Sequence, residues 1–190
     1  VRVTLSELYR CSPDEEALRL MEEYSKMVGW WAERARGFGG GPYSRFRNAY
    51  YAAWRGRWPR WNSQHGQTSS MVAYSTLNLW KKPEHRPRRL EPHTPFAVLS
   101  PRVVKVEHSL LRISTTIRSF GYAELVPNSP HQQKLLEQAG EGLWQLGQVI
   151  LTLEWAIIPF IEDVDMAAER PLELETLLKP YQSLKGRDHG

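Results

Sequence analysis

The sequence predicts an α+β fold: a small antiparallel β-barrel with three helices inserted after its first strand. Three observations lead there. Residues 1–9 alternate apolar and polar side chains, residues 12–82 carry apolar positions at three- and four-residue steps, and from residue 103 the period returns to two. A first strand distant in sequence from the later ones still joins their sheet, which makes the helical stretch an insertion.

The elements follow in order. Val1, Val3 and Leu5 alternate with Arg2, Thr4 and Ser6, the pattern of a half-buried strand. Ser12-Pro13-Asp14-Glu15 reads as a helix start, with Ser12 as cap, Pro13 at the first helical position and Glu15 closing a capping box. Leu18, Met21, Tyr24, Val28 and Trp31 carry that helix to about Arg36, and Gly37 with Gly39-Gly40-Gly41-Pro42 ends it. A second helix spans Pro42–Trp58. Its aromatic stripe of Tyr43, Phe46, Tyr50, Trp54 and Trp58 is of a kind that usually forms core, and it leaves Arg45 and Arg55 pointing away, free for a ligand. Asn62-Ser63 offers a cap for a third helix running through Gln67, Met71, Tyr74 and Trp80 to Lys82. Its apolar face is ragged, so one side is expected to meet something other than apolar core.

Residues 83–95, with four prolines and three arginines, read as an extended linker. Strands are then expected around Val103–Glu107, Leu111–Thr115 and Tyr122–Val126. Residues 144–155 alternate, and Ala156–Ile161 returns as a further strand; the turn between Leu153 and Ile157 is short and leaves their register open. Residues 128–142 are polar, with a short helical pattern at Gln132–Gln138, and Ala167–Gly190 reads as a short helix or extended connector. The boundaries are therefore 1–11 for the first strand, 12–90 for the helical unit, 91–168 for the rest of the barrel and 169–190 for a connector.

Charge is distributed unevenly. Residues 31–118 hold sixteen Lys or Arg against four carboxylates, while residues 1–30 and 119–190 are net −2 and −6. Thirteen of the sixteen are Arg, whose planar fork suits phosphate and stacks on flat rings. Interleaved with them are Trp31, Phe38, Tyr43, Phe46, Tyr50, Tyr51, Trp54, Trp58, Trp61, Tyr74 and Trp80. The bland reading is a solvated surface; the sharper one is a surface that tracks a polyanion backbone and stacks bases.

Other classes recede. No run of about 20 apolar residues provides a membrane span, and Arg2, Glu7 and Arg10 interrupt any leader-like pattern. The lone Cys11 excludes an internal disulfide and a multi-thiolate zinc site, which points to an intracellular protein. The chain begins at Val1 rather than Met. His65, His85, His93, His108, His131 and His189 form no ligand pair at helical spacing, the Gly39–Gly41 run lacks the residues of a phosphate loop, and Cys11 has no evident base. Glu162, Asp163 and Asp165 could hold Mg²⁺, but a solvated strand end suits them better. No convincing catalytic site is legible.

Three segments nevertheless carry a family resemblance. The first is the strand followed by Ser12-Pro13-Asp14-Glu15-Glu16 and a long helix. The second is Trp61-Asn62-Ser63-Gln64-His65-Gly66-Gln67-Thr68, leading a helix that ends Leu79-Trp80-Lys81-Lys82 before the basic linker. The third is Glu141-Gly142-Leu143-Trp144-Gln145-Leu146-Gly147-Gln148-Val149. In this order the chain, from about Val1 to Asp165, resembles the N-terminal part of TnpB, the transposon-encoded RNA-guided nuclease, and of the single-protein type V CRISPR effectors. The resemblance implies a wedge-like oligonucleotide-binding barrel and a helical recognition lobe that together grip a guide RNA and its duplex with target DNA. It implies that Ser63, Gln64 and Gln67 face a short DNA motif beside the target, where Gln suits adenine; for Ser63 a plain helix cap is an equal alternative. Tyr50 or Tyr51 would add a stacking or methyl contact, and His93-Thr94 would approach from the barrel. Arg45, Arg47, Arg55, Arg57, Arg60, Lys81, Lys82, Arg86, Arg88 and Arg89 would hold the RNA and DNA backbone.

The family's RuvC-like nuclease, with its two metals and zinc ribbon, would lie after Gly190, so Mg²⁺ is expected only there. The resemblance thus implies guide RNA as the sole cofactor of these 190 residues. It further implies target DNA as a partner, with a nuclease domain or second protomer alongside, and a prokaryotic cytoplasm rather than a membrane. Two alternatives stay open: a nuclease-less guided repressor or subunit, and a basic interaction domain that binds an acidic protein.

Overall fold

The first strand, β1 (Arg2–Pro13), sits in the middle of the sheet rather than at its edge. The computed structural model describes residues 2–76, 92 and 94–163. After β1 come three helices, α1 (Glu15–Gly37), α2 (Tyr43–Arg57) and α3 (Ser63–Ser75). Then follow β2 (Ala97–Leu99), β3 (Val104–Glu107), β4 (Leu110–Ser114) and β5 (Phe120–Val126). A fourth helix, α4 (Pro130–Gly140), precedes β6 (Gln145–Leu146), β7 (Val149–Leu151) and β8 (Trp155–Asp163). The chain is α+β, and its eight strands form one antiparallel sheet that curls into a half-barrel.

The strand order is β2-β7-β8-β1-β5-β4-β3, with β6 also paired to β8. β1 pairs β8 from Arg2↔Asp163 to Arg10↔Trp155, then β5 from Arg10↔Val126 to Pro13↔Ala123. The turn left open by the sequence is settled: Leu151 faces Ala156, and Thr152 and Trp155 close a two-residue loop through Thr152 N–H to Trp155 O at 2.8 Å. The β3–β4 turn is equally tight, with His108 at φ 56° in the left-handed region.

Alternation along each strand sorts side chains to two faces. Leu5, Tyr9, Cys11, Leu111, Ile113, Ala123, Leu125, Ala156, Ile158 and Phe160 point inward and are buried. They share one apolar cluster with Leu20, Met21, Tyr24, Trp31, Phe46 and Trp54 of the helices. Against this core α1 comes unusually near: a Cβ at Gly121 would meet the Ala17 backbone nitrogen at 2.7 Å, so only glycine allows the approach. α4 closes another part of the concave face. Tyr9 Oη donates to Gln132 O at 3.0 Å, and the buried Gln132 amide donates to Glu7 Oε2 and Leu8 O.

Several sequence expectations need correction. Ser12 and Pro13 belong to the strand, and Asp14 caps α1 by accepting from Ala17 N–H at 2.8 Å. Pairing with Glu124 and Ala123 holds Ser12 and Pro13 extended, which outweighs the local capping signal. The third helix reaches only Ser75, with Thr76 as its C-cap; residues 77–82 of the expected helix, and most of the expected linker, lie outside the described residues. Its ragged face, with Met71 exposed and Gln67 and Tyr74 only partly buried, is not the face packed into the core. Gly66, Thr68, Ser69, Ser70 and Ala73 let α3 press close to its neighbours, and a Cβ at Gly66 would meet the Trp54 ring at 2.7 Å. The buried hydroxyls of Ser69 and Ser70 are satisfied by Gly66 O and Gln67 O one turn back, so small polar residues serve here as core. The short strand β2 had no distinct signal, being three residues long.

Candidate nucleic-acid interface

Two neighbouring clefts open where α2 turns into α3. The first, about 200 Å³, is lined by Arg47, Asn48 and Tyr51 of α2 and by Ser63, Gln64 and Gln67 of α3. Local chemistry fixes this arrangement. Asn62 caps α3 by accepting from Gln64 N–H at 3.0 Å, which leaves Ser63 exposed as the first helical residue. The alternative reading of Ser63 as the cap is therefore corrected. At 100° per residue, Ser63, Gln64 and Gln67 share one face of the helix. Tyr43 Oη donates to Gln67 O at 3.1 Å and ties α2 to α3 beneath them. Tyr51 stacks on Trp54, their ring centroids 5.7 Å apart.

The sheet anchors the start of α3. Asn62 N–H donates to Thr115 O at 3.0 Å, Trp61 forms a β-bridge with Thr116, and the buried His65 Nε2 bonds Ser114 O at 2.8 Å. Because a carbonyl only accepts, Nε2 carries the proton. Burial drives the His65 pKa down to about 4, against a smaller upward pull from the Ser114 and Thr115 carbonyls, so the ring is neutral at pH 7.

The second cleft, about 490 Å³, lies beyond Trp61. Glu23 and Lys26 of α1 line it with Arg57, Trp58, Pro59, Arg60 and Trp61. Burial pushes the Glu23 carboxyl up, but hydrogen bonds from Lys26 and Trp58 and the charges of Lys26 and Arg57 together outweigh it. The group stays ionised below its ordinary range. Lys26 Nζ lies 2.7 Å from Glu23, and Trp58 Nε1 donates to the other carboxylate oxygen at 3.1 Å.

Of the residues singled out from sequence, Arg47, Tyr51, Ser63, Gln64 and Gln67 come together in the first cleft, and Arg57 and Arg60 in the second. Tyr50 does not join them. It packs on Phe38 and Phe46 at the edge of the core. Arg45 is exposed, as expected. Arg55 is not left free: its Nη1 donates to Trp61 O at 2.6 Å, because the turn after α2 brings that carbonyl back over the helix end. Thr94 is exposed and lines neither cleft. Lys81, Lys82, Arg86, Arg88, Arg89 and His93 lie outside the described residues. Asn48, Glu23 and Lys26 were not foreseen. Asn48 sits one turn before Tyr51, and Glu23 and Lys26 form an i, i+3 pair that reads from sequence as an ordinary solvated helix face.

The outward face of the sheet is a third surface. Leu8, Val126, Ile150, Trp155 and Ile157 are exposed there on adjacent strands, with Ile157 paired to both Leu8 and Ile150. Arg10 lies over Trp155, and Arg112 lies over Phe120 while pairing with Glu107 at 3.1 Å.

Cys11 is buried and burial pushes its thiol up to about 11. Among the described residues, no three His, Cys, Asp or Glu side chains group as metal ligands, and Asp165 lies outside them. No described helix is long and apolar enough to cross a membrane. No protein-family model matches the chain, and no curated protein matches it.

Proposed function

We propose that this chain is the nucleic-acid-binding N-terminal portion of an RNA-guided DNA endonuclease, gripping a guide RNA and the DNA beside its target. The observation that carries the reading is the first cleft. It gathers one guanidinium, three amides, a hydroxyl and a phenol, with no carboxylate among the residues lining it. That inventory can bond base edges and a phosphate at once, and Gln67 or Gln64 matches the donor and acceptor of adenine. In this reading the half-barrel is a wedge-like oligonucleotide-binding barrel, the helices α1–α3 are a recognition lobe inserted after β1, and cleavage belongs to residues beyond Gly190.

The test is binding to a guide RNA and a matched duplex over a salt series. With ~6–10 phosphates engaged, affinity falls ~10³–10⁵-fold between about 50 and 200 mM salt. A flat response removes the proposal. Gln67→Ala should change preference among flanking DNA sequences more than RNA affinity. Equal losses for every flanking sequence would refute the role given to Gln67.

The outward sheet face favours a second reading, an interaction domain for an acidic protein, because its exposed aliphatic side chains lie beside Arg10 and Arg112. An acidic competitor protein that displaces all bound RNA at equal charge would favour it.

A further inference from the structure

We infer that the second cleft is a single-nucleotide pocket, with a base against the Trp61 indole and its phosphate between Arg57 and Arg60. The inference rests on the nucleic-acid reading above and adds to it a site that does not select sequence.

Three features carry it. The first is rigidity. Trp61 is half-buried, and its backbone is held on both sides, by the bond from Arg55 Nη1 to its carbonyl at 2.6 Å and by the bridge to Thr116. The His65 ring meets one side of the indole edge-on, with centroids 6.5 Å apart. A ring so held loses little freedom when a base stacks on it. The second is excess positive charge. Lys26, Arg57 and Arg60 line the pocket against the single carboxylate of Glu23, which is bonded to Lys26 and also feels Arg57; Arg57 lies over the Trp58 ring, and both arginines are exposed. Glu23 is also fixed by Trp58, whose Nε1 donates to it at 3.1 Å. The third is size. About 490 Å³ accommodates a nucleotide. Stacking on an indole tolerates any base, and two guanidiniums recognise a phosphate by geometry.

The experiment is fluorescence anisotropy with labelled twelve-residue oligouridylate and oligothymidylate, at several salt concentrations, on the full chain. Arg57→Gln/Arg60→Gln should lower the slope of log affinity against log salt by about 0.7, the share of one phosphate on a single strand, equally for both oligomers. Trp61→Leu should weaken binding about 5- to 150-fold, the cost of one stacked base, and leave that slope unchanged. The arginine pair is solvent-exposed, so its replacement tests the site even where Trp61→Leu disturbs folding. Unchanged affinity and slope in the arginine variant, with the parent chain binding normally, overturns the pocket and spares the broader proposal. No binding by the parent chain overturns both. Displacement by polyglutamate at the same charge concentration would also sink it.

Discussion

Acidification should destabilise this protein through one buried ring. The His65 side chain has no exposure, donates from Nε2 to Ser114 O, and leaves Nδ1 without a hydrogen-bond partner among the described residues. Its pKa falls from the ordinary 6.5 to about 4 in the folded chain. The folded value lies below the unfolded one, so between these limits the unfolded chain binds more protons and stability falls as pH falls. The contribution is whole above pH ~6.5 and spent below pH ~4. At about 1.4 kcal/mol per unit the full effect is about 3 kcal/mol, of which about 2 kcal/mol is lost between pH 7 and pH 5. A protonated ring would also place positive charge in the first turn of α3, where the helix dipole opposes it. The assay is urea unfolding at pH 7, 6 and 5, comparing the parent chain with His65→Gln, whose amide can still donate to Ser114 O but does not titrate. The variant should start less stable and lose about 2 kcal/mol less over the interval. Parallel pH profiles for the two proteins would refute the reasoning.

Two further substitutions test the packing. Gly121→Ala forces a methyl group against the Ala17 backbone, which cannot swing aside as a side chain could; a loss of about 2–3 kcal/mol in urea unfolding is expected, and a neutral result would mean α1 slides freely on the sheet. Asp14→Ala should cost about 1 kcal/mol through loss of the cap, whereas Ser12→Ala, on the outward side of β1, should stay within about 0.5 kcal/mol; the reverse ranking would restore Ser12 as the cap.

Strong periodicity made the helices legible. The sequence placed both ends of α2 and the C-terminal end of α1 within a residue, and the start of α1 within two, because Met21, Tyr24, Val28 and then Phe46, Tyr50, Trp54 repeat without interruption. Alternation likewise marked β3, β4, β5 and β8. What failed was local punctuation under tertiary control. Ser12-Pro13 spells a helix start, but a partner strand fixes it as extended. The buried face of α3 carries no large apolar residue, since close approach rewards Gly66 and Ala73, and a hydrophobicity pattern cannot register that. Ser63, Gln64 and Gln67 were singled out through the family resemblance, not by a pattern that marks a cleft; the fold brings them together with Arg47 and Tyr51 because they share a helical face. The second cleft was not legible, since Glu23 and Lys26 reach it from a helix about 35 residues earlier than Trp58.

The central place of β1 has a consequence for biosynthesis. Its neighbours lie far downstream, with Leu8 beside Ile157, about 150 residues apart. A nascent chain leaving the ribosome can form the three helices early, but its first strand waits with unpaired amides until β5 and then β8 emerge. Long-range closure of this kind is slow, and an unfinished chain presents an open edge on which another copy can pair. Premature termination before β8 should therefore yield aggregates rather than a smaller folded protein.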